Sequence, residues 1–418
     1  MDFTKDVQLS TLDDVPVLWI EQPGPTQIAL KFRVGQADEQ IHFRGITHLV
    51  EHLAMHGLGE REYDFNAQVD MLFTDFGCRG SQEEAREYIE SVTQSLANLD
   101  ESRLERELNV LRVERANDQL FEPFHPTSNV LFGVEGAGIL GFSELVKYNA
   151  DWKDILSHRD HYFTKQNAII CGTGQRPDNL PLSLPNGERH LPKTAHVNDV
   201  SAPTWVQMEN GYLTAGLVAP MNSAQMTAGR ILKDRLQRDM RTLAGHSYHV
   251  WLNSYDLDAS TVFWTVTADY NPPEAESASW KFIGALERFF EDGVTAEEVA
   301  VIERSQARKL ADPNTTGSKV VSMAEFYLLD RPDLPGLRVP AVEEVNEAIK
   351  QRDYKLVAKT PIEPMKRFGW EAPKALARQE PATDGLRFKC DGSDIWIGNK
   401  AISVSEPASG AIETIRLR

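Results

Sequence analysis

Apolar positions along the chain fall into two distinct periods. An apolar run at 15–21 is closed by Gln22-Pro23-Gly24-Pro25, and Ile28, Leu30 and Phe32 alternate within 27–34, so both segments read as strands. From 45 to 56 the period changes. Ile46, Leu49, Val50 and Leu53 follow the i, i+3, i+4, i+7 spacing of a core-facing helix, which Gly57 and Gly59 end. His48, Glu51, His52 and Met55 form a second stripe beside the first, so packing and chemistry use different faces of one helix. Strand patterns follow at 63–71 and 72–79, and helical ones at 82–96 and 102–120. In the last, Leu104, Leu108 and Leu111 make the core stripe, and Ser102 with Glu105 fits a capping box. A glycine-rich loop at 135–141, a helix at 151–163 and a buried-type strand at 167–171 complete the first part.

After a proline-rich stretch the order of elements repeats. A strand at 212–218 precedes a helix at 223–244, strands at 249–254 and 261–268, and helices at 274–291, 295–310, 318–329 and 342–356. Four short strands separated by turns close the chain from 386 to 417. The pattern predicts an α+β protein of two similar domains. Each is a mainly antiparallel sheet covered by helices, and a small C-terminal β appendage follows. The expected boundaries are 1–176 and 205–372 for the domains, 177–204 for the linker with its prolines at 177, 181, 185, 192 and 203, and 383–418 for the β tail.

Composition narrows the possible functions. At 418 residues the chain exceeds one core, in line with two domains. A formal net charge of −18 disfavours a nucleic-acid partner, whose phosphates it would repel. No apolar run approaches the length of a membrane span, and the N-terminal residues lack the pattern of a secretory signal. The three cysteines are odd in number and far apart, which fits a reducing compartment, so a cytoplasmic protein is the expectation.

The stripe His48-x-x-Glu51-His52 carries the chemistry. Two imidazoles four residues apart on one helix face can hold one zinc ion, and Glu51 beside them can take a proton from a water held there. A catalytic zinc takes three protein ligands and leaves one position open. Glu107 and Glu114, two turns apart on the 102–120 helix, are both candidates for the third. The bland alternative is a helix with two surface histidines. His56, His158, His161, His246 and His249 read as packing or surface residues, and the glycine-rich loop lacks the Lys-Ser/Thr of a phosphate loop.

The run 45–53 (GITHLVEHL) resembles the motif region of the insulinase/pitrilysin metallopeptidases, the inverzincin type that includes mitochondrial processing peptidase subunits and their bacterial relatives. Gly35-Gln36-Ala37-Asp38-Glu39 before it, and 106–114 (RELNVLRVE) after it, resemble the same family. The resemblance implies that Glu114 is the third zinc ligand and Glu107 a helper carboxylate. It also implies that Asn66-Ala67 begins a strand that pairs with substrate, and that Arg241 and Tyr248, seven apart, bind substrate and stabilise the tetrahedral intermediate. One departure stands out. Glu114 follows His52 by only 62 positions, about a dozen fewer than is usual for the family, and the missing stretch falls just after Gly57.

The expectation is therefore a zinc-dependent endopeptidase that hydrolyses peptides or unstructured segments. The resemblance further implies a chamber made by pairing two chains, as a homodimer or as a heterodimer with a related subunit. A non-catalytic partner subunit of such a heterodimer is the alternative, and an α/β binding protein with a fortuitous motif a third.

Overall fold

The structure, a computed structural model, describes residues 7–117, 125–142, 144–194, 196–198, 204–207, 211–312, 315–331, 338–350, 355–361, 386–390, 393–397, 401–405 and 412–416. The end of the helix expected over 102–120 and the 362–372 end of the second domain lie outside these residues.

The first half begins with strands β1 (Gln8–Leu12), β2 (Val15–Ile20) and β3 (Thr26–Phe32), the motif helix α1 (Ile46–His56), and strands β4 (Asp64–Val69) and β5 (Thr74–Gly80). Helices α2 (Gln82–Ala97), α3 (Leu104–Asn117), α4 (His125–Phe132), α5 (Val146–Asn149) and α6 (Trp152–Tyr162) lead to strand β6 (Ala168–Thr173). The second half contains β7 (Thr204–Gln207), β8 (Tyr212–Pro220), α7 (Ser223–Leu236), β9 (Val250–Asp256) and β10 (Thr261–Asp269). Helices α8 (Ala275–Asp292), α9 (Ala296–Ala311), α10 (Thr316–Leu328) and α11 (Val342–Lys350) then lead to β11 (Lys355–Thr360). The expected tail is a separate four-stranded antiparallel sheet of β12 (Leu386–Cys390), β13 (Ser393–Ile397), β14 (Ala401–Ser405) and β15 (Ile412–Arg416).

The two large sheets share one five-strand order, to which the first adds β1 at an edge. The first runs β1-β2-β6-β3-β5-β4 and the second β7-β11-β8-β10-β9. In each, the strand that precedes the first long helix is central, and the last strand of the half pairs in parallel with an early one, β6 with β2 and β11 with β7. The architectural repeat expected from the chain is thus present in space. Each sheet buries one face under its own helices. Leu30, Phe32 and Phe76 meet Leu49, Val50, Leu53 and Tyr88 in the first half, and Leu217, Val262 and Trp264 meet Leu232, Phe282 and Phe289 in the second. At about 1.5–3 kcal/mol for each large apolar side chain, these layers are the main stabilising term.

The opposite faces of the two sheets contribute to a shared core, and each half lends it a helix. Helix α10 lies on β6, β2 and β3 of the first sheet, and α4 lies on β11 and β8 of the second. Leu131, Phe132, Ile169, Cys171, Phe263, Val320, Ala324 and Leu328 form the apolar part. Lys31, fully buried on β3, binds Asp75 on β5 at 2.5 Å and Glu325 on α10 at 3.0 Å, which ties the halves by charge. The proline-rich stretch wraps the first half. Leu180 and Leu184 enter its core, and the Arg33 side chain donates to the His190 carbonyl at 2.9 Å.

Several sequence expectations change. Strand β1 and helix α4 were not anticipated. The helix expected over 342–356 ends at Lys350, and Lys355 and Leu356 begin strand β11, because a short apolar run next to an amphipathic helix fits either period. The Ser102/Glu105 box does not form: Asp100 accepts from the Ser102 amide and a short 3₁₀ turn precedes α3. Residues 136–141 of the glycine-rich loop form a 3₁₀ helix, and the helix expected over 223–244 changes to π geometry from Gln237 to Leu243. Among the described residues no helix is long and apolar enough to cross a membrane.

Candidate metal centre

Helix α1 starts abruptly, and a remote carboxylate makes that possible. Gly45 adopts a left-handed φ of 95°, and the buried Glu39 accepts from the amides of Gly45 (2.8 Å) and Thr47 (3.0 Å) and from Arg44 (3.1 Å). A negative charge is favourable at a helix start, where amides are otherwise unpaired. Burial raises the Glu39 carboxyl above its ordinary range, against the lowering effect of Arg44.

From this fixed start, Leu49, Val50 and Leu53 point into the core while His48 and His52 turn toward α3. Their Nε2 atoms lie 3.1 Å apart. Glu114 Oε2 is 3.4 Å from His52 Nε2 and 3.8 Å from His48 Nε2. Three ligands at zinc bonding distances of about 2.0–2.2 Å on a tetrahedron stand roughly 3.3 Å from one another, so the three atoms fit one ion. No other group of three or more metal-binding side chains converges in this way among the described residues. The Glu114 side chain is half exposed, so the centre has an open side.

Carboxylates behind the two imidazoles orient them. Nδ1 of His48 lies 2.9 Å from Glu144 Oε1, and a ring that donates its Nδ1 proton to this carboxylate presents Nε2 to a metal. Glu107 faces Nδ1 of His52 at 3.5 Å and Nδ1 of His56 at 3.4 Å, so one carboxylate serves both rings. Burial works to lower the His48 pKa, but Glu144, Glu51 and Glu114 outweigh it and the net shift is upward. Glu51 is buried, with Oε2 3.7 Å from His48 Nε2. Burial raises its carboxyl pKa, partly offset by His52 and His48. A carboxyl moved toward neutrality suits reversible proton transfer.

The remaining predicted residues lie elsewhere. Asn66 and Ala67 sit on β4, at the free edge of the first sheet, and Tyr88 on α2 donates to the Asn66 carbonyl at 3.0 Å. The whole link from α1 to β4 is residues 57–63, with no helix in it. Arg241 and Tyr248 belong to the second half, where the guanidinium lies 5.0 Å from the tyrosine ring centroid and Tyr248 is 76% exposed. Asp269 Oδ1 holds this turn by accepting from Ser247 Oγ (2.6 Å) and from the amides of Tyr248 and His249 (2.9 Å each). Among the described residues no hydrogen bond, ion pair or ring contact joins Arg241 or Tyr248 to His48, His52 or Glu114.

Glu144 and Asp269 carry no sequence signal: Glu144 acts 96 positions away and Asp269 about 20, and each lies outside a periodic stripe. Glu39 falls within the family-like run 35–39, but its role at the start of α1 shows only in the structure.

No protein-family model and no curated protein matches this sequence. Solved structures do match the fold. A protease from Helicobacter pylori superposes with a TM-score of 0.67 at 17% identity, over 85% of this chain and 99% of that one. The M16 peptidase inactive domain from Pseudomonas fluorescens gives 0.65 at 14%, over 86% and 99%. Pitrilysin gives 0.60 at 14%, over 96% of this chain and 53% of its own length. The fold is therefore the M16-peptidase fold.

Proposed function

We propose that this protein is a zinc-dependent endopeptidase of the insulinase/pitrilysin type that cuts extended peptides or unstructured segments. The observation that carries the reading is the convergence of His48, His52 and Glu114, from two helices, to separations that suit one tetrahedral ion, with Glu51 beside them, in an M16-type fold. Bound by these three residues, zinc would polarise the scissile carbonyl and make water a better nucleophile.

The chain's own groups do the rest. Glu144 and Glu107 hold the imidazoles in orientation. Glu51 takes a proton from the attacking water and returns it to the amide nitrogen as the C–N bond breaks. An extended substrate adds a strand at the free edge of β4 near Asn66, with affinity from main-chain hydrogen bonds. Tyr248 donates its hydroxyl to the developing oxyanion and Arg241 holds the substrate. Among the described residues Arg241 and Tyr248 make no contact with the metal centre of their own chain, and in this reading a second chain supplies them. A homodimer meets this need, and a heterodimer with a related subunit is its rival.

The second reading is a non-catalytic partner subunit, and the likeness to an M16 inactive domain favours it. Metal content separates the two. Purified protein dialysed against metal-free buffer should retain about one zinc per chain, and His52→Ala should retain none. A wild-type chain without zinc, unable to take it up on addition, supports the silent subunit.

A further inference from the structure

We propose that a cleft on the inner face of the first sheet is a side-chain subsite for a peptide bound along β4, and that Gly77 sets its preference for a large apolar residue. The proposal rests on the peptide-binding reading above. On edge strand β4, Asp64, Asn66 and Gln68 are exposed and stand opposite Arg79, Gly77 and Asp75 of β5. The central row continues through Gly77, Ala29 and Cys171, all small. Long side chains flank it, with Arg79 and Gln27 on one side and Asp75 and Lys31 on the other. Gly317, Val320 and Val321 of α10 form the far wall. The cleft is open to solvent and has a volume of about 400 Å³, within the range of ligand sites.

The charged residues of the cleft lie at its flanks, and two of its three charges, Asp64 and Arg79, are cross-strand neighbours of opposite sign. Asp75 binds Lys31 at 2.5 Å. The floor and α10 wall are mostly apolar, so a neutral apolar side chain suits the space. Side chains of a strand paired with β4 alternate between the sheet faces. One set points toward the face that α1 and α2 cover, the other toward this cleft.

Gly77 is the telling residue. Glycine inside a strand weakens it and often marks a close approach by another group. Gly77 is not among the glycines with positive φ, and an added Cβ would meet nothing nearer than the Ile28 carbonyl at 3.5 Å. Gly172, in the same sheet, differs: a Cβ there would lie 2.3 Å from the Trp19 ring. Neither backbone nor packing requires glycine at 77, so its effect is to keep the cleft open.

The test uses labelled unstructured peptides in which a single Leu or Phe replaces Ser at successive positions. Binding is measured to the Glu51→Gln protein and cleavage with the protein carrying Glu51. An apolar residue at one of the alternate, inner-facing positions should tighten binding roughly tenfold. Gly77→Val should abolish that gain and leave the other positions unchanged, with Gly77→Ala intermediate. Val321→Phe should do the same from the opposite wall, which covers the case in which Gly77→Val does not fold. Absence of binding, a gain at every position alike, or a gain that survives in a folded filling variant overturns the subsite. Peptides bound with the expected pattern but never cut would instead refute the peptidase reading and leave the subsite standing.

Discussion

Glu144 lies between His48 and Gly45 in space. It accepts a hydrogen bond from His48 Nδ1 at 2.9 Å, and a Cβ placed on Gly45 would sit 2.7 Å from the Glu144 Cβ. The glycine that lets α1 begin thus also makes room for the carboxylate that orients the first histidine. Glu144→Gln should weaken zinc affinity about 10–100-fold, measured by competition with a chelator, with little change in thermal stability. Gly45→Ala should act in the same direction and also destabilise the fold, because φ is 95° there. Unchanged zinc affinity in Glu144→Gln would show that the hydrogen bond has no part in metal binding.

The Lys31–Asp75–Glu325 cluster tests how the halves are held. Lys31→Met would leave two carboxylates together in a largely buried site and should cost about 3–5 kcal/mol in urea unfolding. Adding Glu325→Gln to that variant should recover part of the loss. A cost below about 1 kcal/mol would mean that water reaches the cluster.

Arg235 and Glu298 join α7 to α9 through two contacts of 2.7 Å. The arginine hydrogen bond lowers the Glu298 pKa to about 2 from an ordinary 4.5. A depressed carboxyl pKa stabilises the fold above the unfolded value and ceases to do so as pH falls through the folded one. The urea-midpoint difference between wild type and Glu298→Gln should therefore be full at neutral pH and shrink from about pH 4.5 toward about pH 2. A difference independent of pH across that window would contradict the assignment.

If active sites form between chains, inactive His48→Ala and inactive Tyr248→Phe proteins should complement. A mixture of equal amounts is expected to recover about a quarter of wild-type activity, because random exchange yields half mixed dimers with one intact site each. No recovery after demonstrated subunit exchange would place the whole site in one chain or require a different partner.

Much of this was legible from hydrophobic periodicity. Ile46, Leu49, Val50 and Leu53 locate the motif helix, and the side on which they pack leaves His48 and His52 facing α3. The order of strands and helices announced two like halves. The exchange of α4 and α10 between them was not legible, because it depends on which sheet face a helix covers rather than on its own pattern. Strand β11 was hidden by a short apolar run beside a helix. In the site, His48, Glu51 and His52 were legible because their spacing is local. The choice between Glu107 and Glu114 needed either the family resemblance or the distances, since both lie on one face of α3. Glu144, 96 positions from His48, left no sequence signal.

The most direct test compares Glu51→Gln with wild type, both loaded with zinc, on a mixture of unstructured peptides, with products followed by mass spectrometry. The account predicts cleavage by wild type, a rate lower by about 10²–10⁴-fold in Glu51→Gln, and equal zinc content in the two. Equal cleavage rates, or no cleavage by a zinc-loaded wild-type dimer, would contradict it.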